Sequence, residues 1–404
     1  MIKTAIGSGT NSSDIQQMNR ILVLTLMRKL QTTTRAELAR LTGLKRATIT
    51  NIINEFLSCK IVREIGITGG EKGRRSIQIA IDPGERRVVA IRLARKYFTV
   101  GLFDILGKIF YREQIPLDFK DGSEYAMLLI KNKIQQIMSG EPNVFVIGVA
   151  LPGPYLQTEH RIVQITDFPG WEGVDIVSEL ENQFHVPVYA EHDANASALT
   201  EWWYGDNISC GDNDKVLLNI IAGQGVGAGL VQNGVIYHGS RGFAGEIGHT
   251  SIAYDGKKCA CGNRGCLDLY CSSIVLMQNV KNRLKDFPDS ILNNQEINII
   301  TLKNAVEAGD PLAIGEIVSM ARYLAYGIVN AINIYDPDIV VIGDELAEIG
   351  GHYLLYEVIK TVKERIIPPI LDKIEIRLSK VQYPMLSGAM CVAVDNVFKN
   401  LQIL

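Results

Sequence analysis

The chain opens on helical spacing. Ile15, Met18, Ile21, Leu22 and Leu26 recur on one side of a helix that Asn11, Ser12 or Ser13 can cap. Thr34-Arg35-Ala36-Glu37 reads as a capping box that starts a short helix running to Leu41. Thr42-Gly43-Leu44 makes a turn. Ile49, Ile52, Ile53, Phe56 and Leu57 then fall at i, i+3, i+4, i+7 and i+8, the apolar stripe of a third helix. The period shifts to two over Ile61–Ile67 and again over Ile77–Ile81, either side of a Gly-Gly-Glu-Lys-Gly-Arg-Arg turn. Helix, helix, turn, helix and hairpin in this order predict a winged helix-turn-helix over residues 1–82, ended by Asp82-Pro83-Gly84.

From Val88 the pattern is α/β. Val88–Phe103 is strand-like, with a hairpin restart at Leu106-Gly107-Lys108. Val144–Ala150, Val216–Ile221 and Ile339–Ile342 are near-continuous apolar runs, as in strands buried on both faces. Between the last two, Ile314, Ile317, Val318, Ala321, Leu324, Ala325 and Ile328 mark a helix. No internal sequence repeat and no low-complexity stretch stands out. At 404 residues the chain is too long for one ordinary core, so two or three domains are expected.

Charge divides the chain unevenly. Residues 1–80 hold 13 Lys+Arg against 5 Asp+Glu, whereas the whole chain has a net charge of −3. A basic module on an acidic body fits a nucleic-acid-binding unit attached to a regulatory or catalytic one. No run of eighteen uncharged apolar residues exists and MIKTAIGSGTNSSD lacks the apolar core of a signal peptide, so the expectation is a cytoplasmic protein without membrane insertion.

Candidate chemistry falls in four places. The first is the start of the third helix, where Lys45, Arg46, Thr48 and Asn51 are placed to meet base edges and phosphates in a major groove; Arg74 and Arg75 at the hairpin tip are placed to reach phosphates or the minor groove. The second is His249 with Cys259, Cys261 and Cys266. One imidazole and three thiolates complete a tetrahedral Zn2+ shell with no open position, which reads as structural, and Cys271 is surplus to it. The third is a scatter of polar groups at strand ends and loops: Asp167, Glu191-His192-Asp193-Ala194-Asn195, Gly245-Glu246-Ile247-Gly248-His249 and Asp268. Such groups suit a hydroxyl-rich ligand. The fourth is Gly223-Gln-Gly225-Val-Gly227-Ala-Gly229, directly after a strand, which is either a phosphate-binding turn or a twisted hairpin.

Together these motifs resemble the ROK family, which joins bacterial repressors, such as those for xylose and N-acetylglucosamine, with sugar kinases. The most specific parts are Gly245-Glu246-Ile-Gly248-His249 and Cys259-Ala-Cys261-Gly-Asn-Arg-Gly-Cys266, the latter matching the family's CxCGxxGC zinc signature with His249 as fourth ligand; Leu151-Pro-Gly-Pro154 resembles a further family loop. The resemblance implies two actin-like (ribonuclease H-like) lobes of a sugar-kinase fold around a sugar cleft: residues 83–197 with a C-terminal helix over 384–404, and residues 198–383 with the zinc motif. It also implies a sugar site made by Asp167, His192, Asp193, Glu246, His249 and Asp268, with Asp193 in the catalytic-base position of the kinases. Asp167, His192 and Asp268 depart from the residues usual there.

The kinases of the family carry Asp-x-Gly-Gly-Thr in the first strand pair. Aligned on Asp104, this chain has Arg92 in the Asp slot and Ala94 and Arg95 for the glycines, and Gly343-Asp344-Glu345-Leu346 replaces a glycine-rich turn that resembles the adenosine site. An arginine there cannot help hold magnesium, and side chains in place of glycine block close approach of backbone to phosphate. The expected protein is therefore a non-enzymatic, sugar-responsive repressor acting on operator DNA as a homodimer or dimer of dimers. Two other readings remain at this stage: an active ATP-dependent sugar kinase with a DNA-binding arm, and a regulator controlled by a sugar-transport partner protein.

Overall fold

The computed structural model describes residues 12–69, 75–118, 122–157, 159–163, 170–171, 173–206, 215–371 and 373–399. Its first helix, α1 (Ser12–Leu30), buries Val23, Leu24, Leu26 and Met27. Ile15 and Met18, expected on the same buried side, are about half exposed, because burial is confined to the C-terminal half of the helix. A short strand, β1 (Thr32–Thr34), leads into α2 (Arg35–Thr42). The Thr34 hydroxyl accepts the Glu37 N–H at 3.2 Å, but the Glu37 carboxylate accepts from the Thr33 hydroxyl at 2.9 Å, so only half of the expected capping box forms. Gly43 ends α2 at φ 70°, a left-handed cap that glycine adopts without a Cβ clash. The third helix, α3 (Arg46–Ser58), turns Ile49, Ile52, Ile53 and Phe56 inward. Strands β2 (Val62–Gly69) and β3 (Arg75–Ile81) pair antiparallel, in a sheet of order β1-β3-β2.

The next segment holds β4 (Arg87–Leu93), β5 (Tyr97–Asp104), β6 (Ile109–Pro116), α4 (Gly122–Gly140), β7 (Val144–Leu151), the short pair β8 (Tyr155–Leu156) and β9 (Arg161–Ile162), α5 (Ile176–Phe184), β10 (Val188–His192) and α6 (Asp193–Tyr204). The run read as one strand from Val88 breaks at Ala94, whose N–H bonds the Tyr97 carbonyl at 2.9 Å and reverses the chain. After it come β11 (Val216–Ala222), β12 (Val226–Gln232), β13 (Val235–Ile236), α7 (Asp268–Cys271), α8 (Ser273–Arg283), α9 (Ile299–Glu307), α10 (Pro311–Tyr335), β14 (Ile339–Gly343), α11 (Glu345–Arg365), α12 (Pro368–Leu371), β15 (Glu375–Leu378) and α13 (Pro384–Lys399). The glycine tract at 223–229 is a hairpin: β11 and β12 pair antiparallel around Gly223–Gly225.

The two large sheets share one plan. Their orders are β10-β7-β4-β5-β6 and, read from the other edge, β15-β14-β11-β12-β13. In each, three successive antiparallel strands are extended by two parallel ones. The fold therefore duplicates a unit that leaves no readable repeat in the sequence. The helix that follows each fifth strand crosses to the other sheet: α6 packs on β11 and β12, and α13 packs on β4, β7 and β10. The two helices also pack on each other. Gly148, Gly229 and Gly388 permit this, because a Cβ would lie 2.0 Å from the Ala389 carbonyl oxygen, 2.3 Å from that of Ala194 and 2.3 Å from that of Ala196, respectively. Helix α10 is long and apolar enough to cross a membrane, but 61% of its most apolar window is buried in the fold, as in a core helix.

Candidate functional site

The DNA-reading candidates sit as the helical period requires. Lys45 precedes α3 in extended conformation, Lys45, Arg46 and Asn51 are exposed, and Thr48 is half-buried beside Ile49. Asn54 is engaged by Arg35, whose guanidinium also pairs with Glu64 at 3.2 Å, tying α2 and α3 to β2. Arg75 opens β3, and Arg74 lies outside the described residues.

Five of the polar groups noted in the sequence converge on one cleft between the two sheets. A cavity of about 280 Å³ is lined by His192, Asp193, Glu246, His249 and Asp268, with Arg92, Arg95, Tyr97 and Asp344 along another wall. This is just below the ~300–1,000 Å³ usual for small-molecule sites. Asp167 lies outside the described residues.

Local geometry explains each placement. His192 ends β10 and Asp193 begins α6, which puts both side chains at the carboxyl end of a parallel strand; His192 Nε2 lies 3.3 Å from Asp193 Oδ1. Gly153 makes room for the imidazole, since a Cβ there would lie 2.5 Å from Nε2. Glu246 precedes and His249 ends a 3-10 turn, Ile247–His249, laid on β12. The glycines of that motif are packing requirements: a Cβ on Gly245, at φ 93°, would meet the Ala228 carbonyl oxygen at 1.9 Å, and one on Gly248 would meet that of Val226 at 2.0 Å. Asp268 opens α7 and accepts the Val226 N–H at 2.6 Å.

Sequence reasoning noted Glu191 only as part of a tract, and it missed His238. Glu191 is 2% exposed and accepts from Asn195 at 3.0 Å, from Gln157 at 3.3 Å and from the His192 N–H at 2.9 Å; His238 Nε2 lies 2.7 Å away. Burial pushes the Glu191 pKa up, but His238, Asn195 and the His192 amide outweigh it and hold it below the usual range. This carboxylate fixes the His192 backbone and ties it to Asn195 in the first turn of α6. A lone histidine in a loop carries no sequence signal that would reveal the pairing.

Another wall of the cavity carries an arginine, a tyrosine and an acid in contact. The Arg92 guanidinium donates to the Tyr97 hydroxyl at 3.3 Å and faces Asp344 at 4.0 Å. The Asp344 carboxylate lies over Gly223, where a Cβ would fall 2.2 Å from Oδ2. Asp344 itself has φ 71° and ψ −166°, a region occupied almost only by glycine and costing other residues on the order of 1–3 kcal/mol. Burial raises its pKa to about 7, with Arg92 pulling the other way and Glu345 and Asp193 adding to the rise.

His249, Cys259, Cys261 and Cys266 place one donor atom each within 4.8 Å of one another. Cys261 and Cys266 sulfurs are 3.7 Å apart, and Cys259 sulfur is 3.9 Å from His249 Nδ1. Metal–sulfur bonds of about 2.3 Å at tetrahedral angles put sulfurs about 3.8 Å apart, so the residues fit a four-coordinate metal shell. Nδ1 faces the thiols, which leaves Nε2 for the cavity that His249 also lines. Gly265, at φ 65°, allows the loop to close, because a Cβ would lie 1.7 Å from the Ala253 carbonyl oxygen. Cys271 is buried apart from the cluster and faces the Leu267 carbonyl at 3.5 Å.

Comparison with known proteins places this architecture. The ROK family model matches residues 88–389. The chain is 26% identical over 380 residues to the xylose repressor of Caldicellulosiruptor bescii, covering 92% of this chain and 94% of that one. Among solved structures, a ROK family transcriptional regulator, homolog of the E. coli MLC protein, superposes with a TM-score of 0.80 at 24% identity, covering 96% of this chain and 98% of that one. A ROK family glucokinase from Streptomyces griseus, in complex with glucose and AMPPNP, superposes with a TM-score of 0.66 at 22% identity, covering 76% of this chain and 99% of that one. The kinase thus shares the two-sheet body, whereas the regulator spans nearly the whole chain. With the family model matching across both sheets and the cleft between them, this chain belongs to the ROK family.

Proposed function

We propose that this chain is a sugar-responsive transcriptional repressor of carbohydrate uptake or catabolism genes, and that its kinase-like body binds a sugar without phosphorylating it. One combination carries the reading: a helix-turn-helix joined to a cleft that keeps Asp193, Glu246 and His249 while Arg92 and Asp344 occupy the opposite wall. Arginine repels magnesium and its side chain fills space that a nucleotide phosphate needs. Asp193, without a phosphoryl donor, acts as a hydroxyl acceptor.

Residues 1–82 form the DNA-binding unit. Lys45, Arg46, Thr48 and Asn51 read operator DNA, and the β2–β3 hairpin serves as a wing carrying Arg74 and Arg75. Residues 83–197 with the C-terminal helix, and residues 198–383, form two lobes around the effector. Sugar hydroxyls donate to Asp193, Glu246, Asp268 and Asp167 and exchange hydrogen bonds with His192 and His249. Zn2+ on His249, Cys259, Cys261 and Cys266 acts as a structural cross-link with no position open to substrate. The protein works in the cytoplasm as a homodimer or dimer of dimers on a palindromic operator.

A sugar bridging the lobes binds the closed arrangement better than the open one, and only such a difference in affinity can shift the equilibrium. Operator binding by the wild type and by Glu246→Gln, with and without each of a panel of monosaccharides, tests the proposal. The variant keeps operator affinity and loses the sugar response; a variant that responds as the wild type does removes the cleft as the switch.

A further inference from the structure

Helix α6 connects the cleft to the DNA-reading head. Its first residue is Asp193, in the cavity, and its last turn carries Trp202 and Trp203. Twelve residues at a helical rise of about 1.5 Å span about 18 Å. Every residue from Asp193 to Trp203 is buried. The close approaches at Gly229 and Gly388 leave α6 no slack against β12 or α13. Tightly packed elements of this kind shift as units and do not deform continuously.

The far end of α6 meets α1, the helix that carries the head. The Arg28 guanidinium lies 3.2 Å from the centroid of the Trp203 ring, and the Lys29 ammonium lies 4.8 Å from that of Trp202. Among the described residues, the Arg28 Nε is buried without a hydrogen-bond partner and no ion pair engages the side chain. Asp395 of α13, the acidic group that acts on it, is paired with Lys399 at 2.5 Å. An arginine committed in this way to an indole face is held by stacking. Tyr204, next along α6, donates to the Leu106 carbonyl at 3.1 Å and so pins this end of the helix to the β5–β6 turn. At the other end of α1, Gln17 donates to the Lys399 carbonyl at the end of α13.

We propose that Arg28 and Trp203 are positioning residues that set the orientation of the DNA-reading head, so that α6 carries the state of the sugar cleft to α3. This rests on the effector reading above. Arg28 sits two residues before the end of α1 and touches no candidate DNA contact, so its effect is on geometry and not on the operator itself. A cleft ligand that moves Asp193 moves Trp203 with it, and the stack passes that movement to α1.

The test uses the full chain with operator fragments selected from genomic DNA by the wild type, and D-xylose, D-glucose and N-acetyl-D-glucosamine as probes. Arg28→Met keeps the length of the side chain and removes the cation. Its operator affinity without sugar stays within about threefold of wild type, while the sugar-dependent change, ~5–150-fold for an allosteric protein, collapses. Arg28→Lys recovers part of the response. Arg20→Met, which breaks the Arg20–Glu55 pair inside the head, weakens DNA binding and leaves the response ratio intact. An Arg28→Met chain with the wild-type response ratio overturns the proposal. If none of the three sugars acts on the wild type, the effector reading is at fault for those sugars, and hydrogen exchange decides the joint by itself. There, Arg28→Met speeds exchange about tenfold or more in residues 23–28 and 200–204 and leaves residues 49–57 unchanged. Unchanged exchange at 200–204 overturns the joint.

Discussion

Arg92 on β4 and Asp344 at the head of α11 lie 4.0 Å apart on one wall of the cleft, joining the two sheets. The pairing is loose, and Asp344 sits on a glycine-type backbone conformation. The raised pKa of about 7 says that the Arg92 attraction does not offset the burial of the carboxylate.

This has a pH consequence. Between the ordinary value of 3.8 and about 7, the folded Asp344 holds a proton that the unfolded chain releases. Stability contributed by that proton is complete below the lower value and is lost as pH rises through the upper one, at up to ~1.4 kcal/mol per pH unit. Asp344→Asn has no such proton. Urea midpoints measured at intervals across this window are expected to fall with pH for the wild type relative to the variant, by an amount equivalent to about 4 kcal/mol in total. Parallel curves for the two proteins contradict the assignment.

On the proposed reading, Arg92, Arg95 and Asp344 stand where a nucleotide would need space and favourable charge. A coupled assay with ATP and a panel of hexoses is expected to show no turnover above the enzyme-free rate, and calorimetry no ATP binding at physiological concentrations. Steady phosphorylation of any sugar refutes this.

The His249–Cys259–Cys261–Cys266 cluster shares His249 with the cleft, and Asp268 lies two residues beyond Cys266. Purified chain is expected to carry about one zinc per molecule. Cys266→Ala loses it, lowers the melting temperature and weakens sugar binding by ~tenfold or more, because the loop that orients His249 and Asp268 loses its cross-link. Full metal loss with unchanged sugar affinity would separate the two sites.

On DNA, Arg46→Ala is expected to cost on the order of 1–3 kcal/mol and to relax the preference at one base pair of each half-site. Lys45→Ala weakens binding to all sequences alike and lowers the salt slope by about one. Footprints are expected to cover two half-sites about 10 base pairs apart or a multiple of that. A single unpaired half-site speaks against the dimer.

What short stretches encode was legible in the sequence. Ile49, Ile52, Ile53 and Phe56 specify the buried face of α3, and Gly43 marks the end of α2, because helical period and left-handed backbone are local properties. The spacing of Cys259, Cys261 and Cys266 with intervening glycines likewise announces a tight loop, and the fold brings their sulfurs together with His249. Tertiary structure decided the rest. Whether Gly223–Gly229 cradles phosphate or turns a hairpin depends on what packs over it, and Asp344 covers Gly223 while Ala194 crowds Gly229. The pairings of Arg92 with Asp344, His238 with Glu191 and Arg28 with Trp203 join residues far apart in the chain. They exist only because two sheets of one plan exchange their last helices, and that duplication is held by backbone hydrogen-bond topology, which different side chains can satisfy equally well.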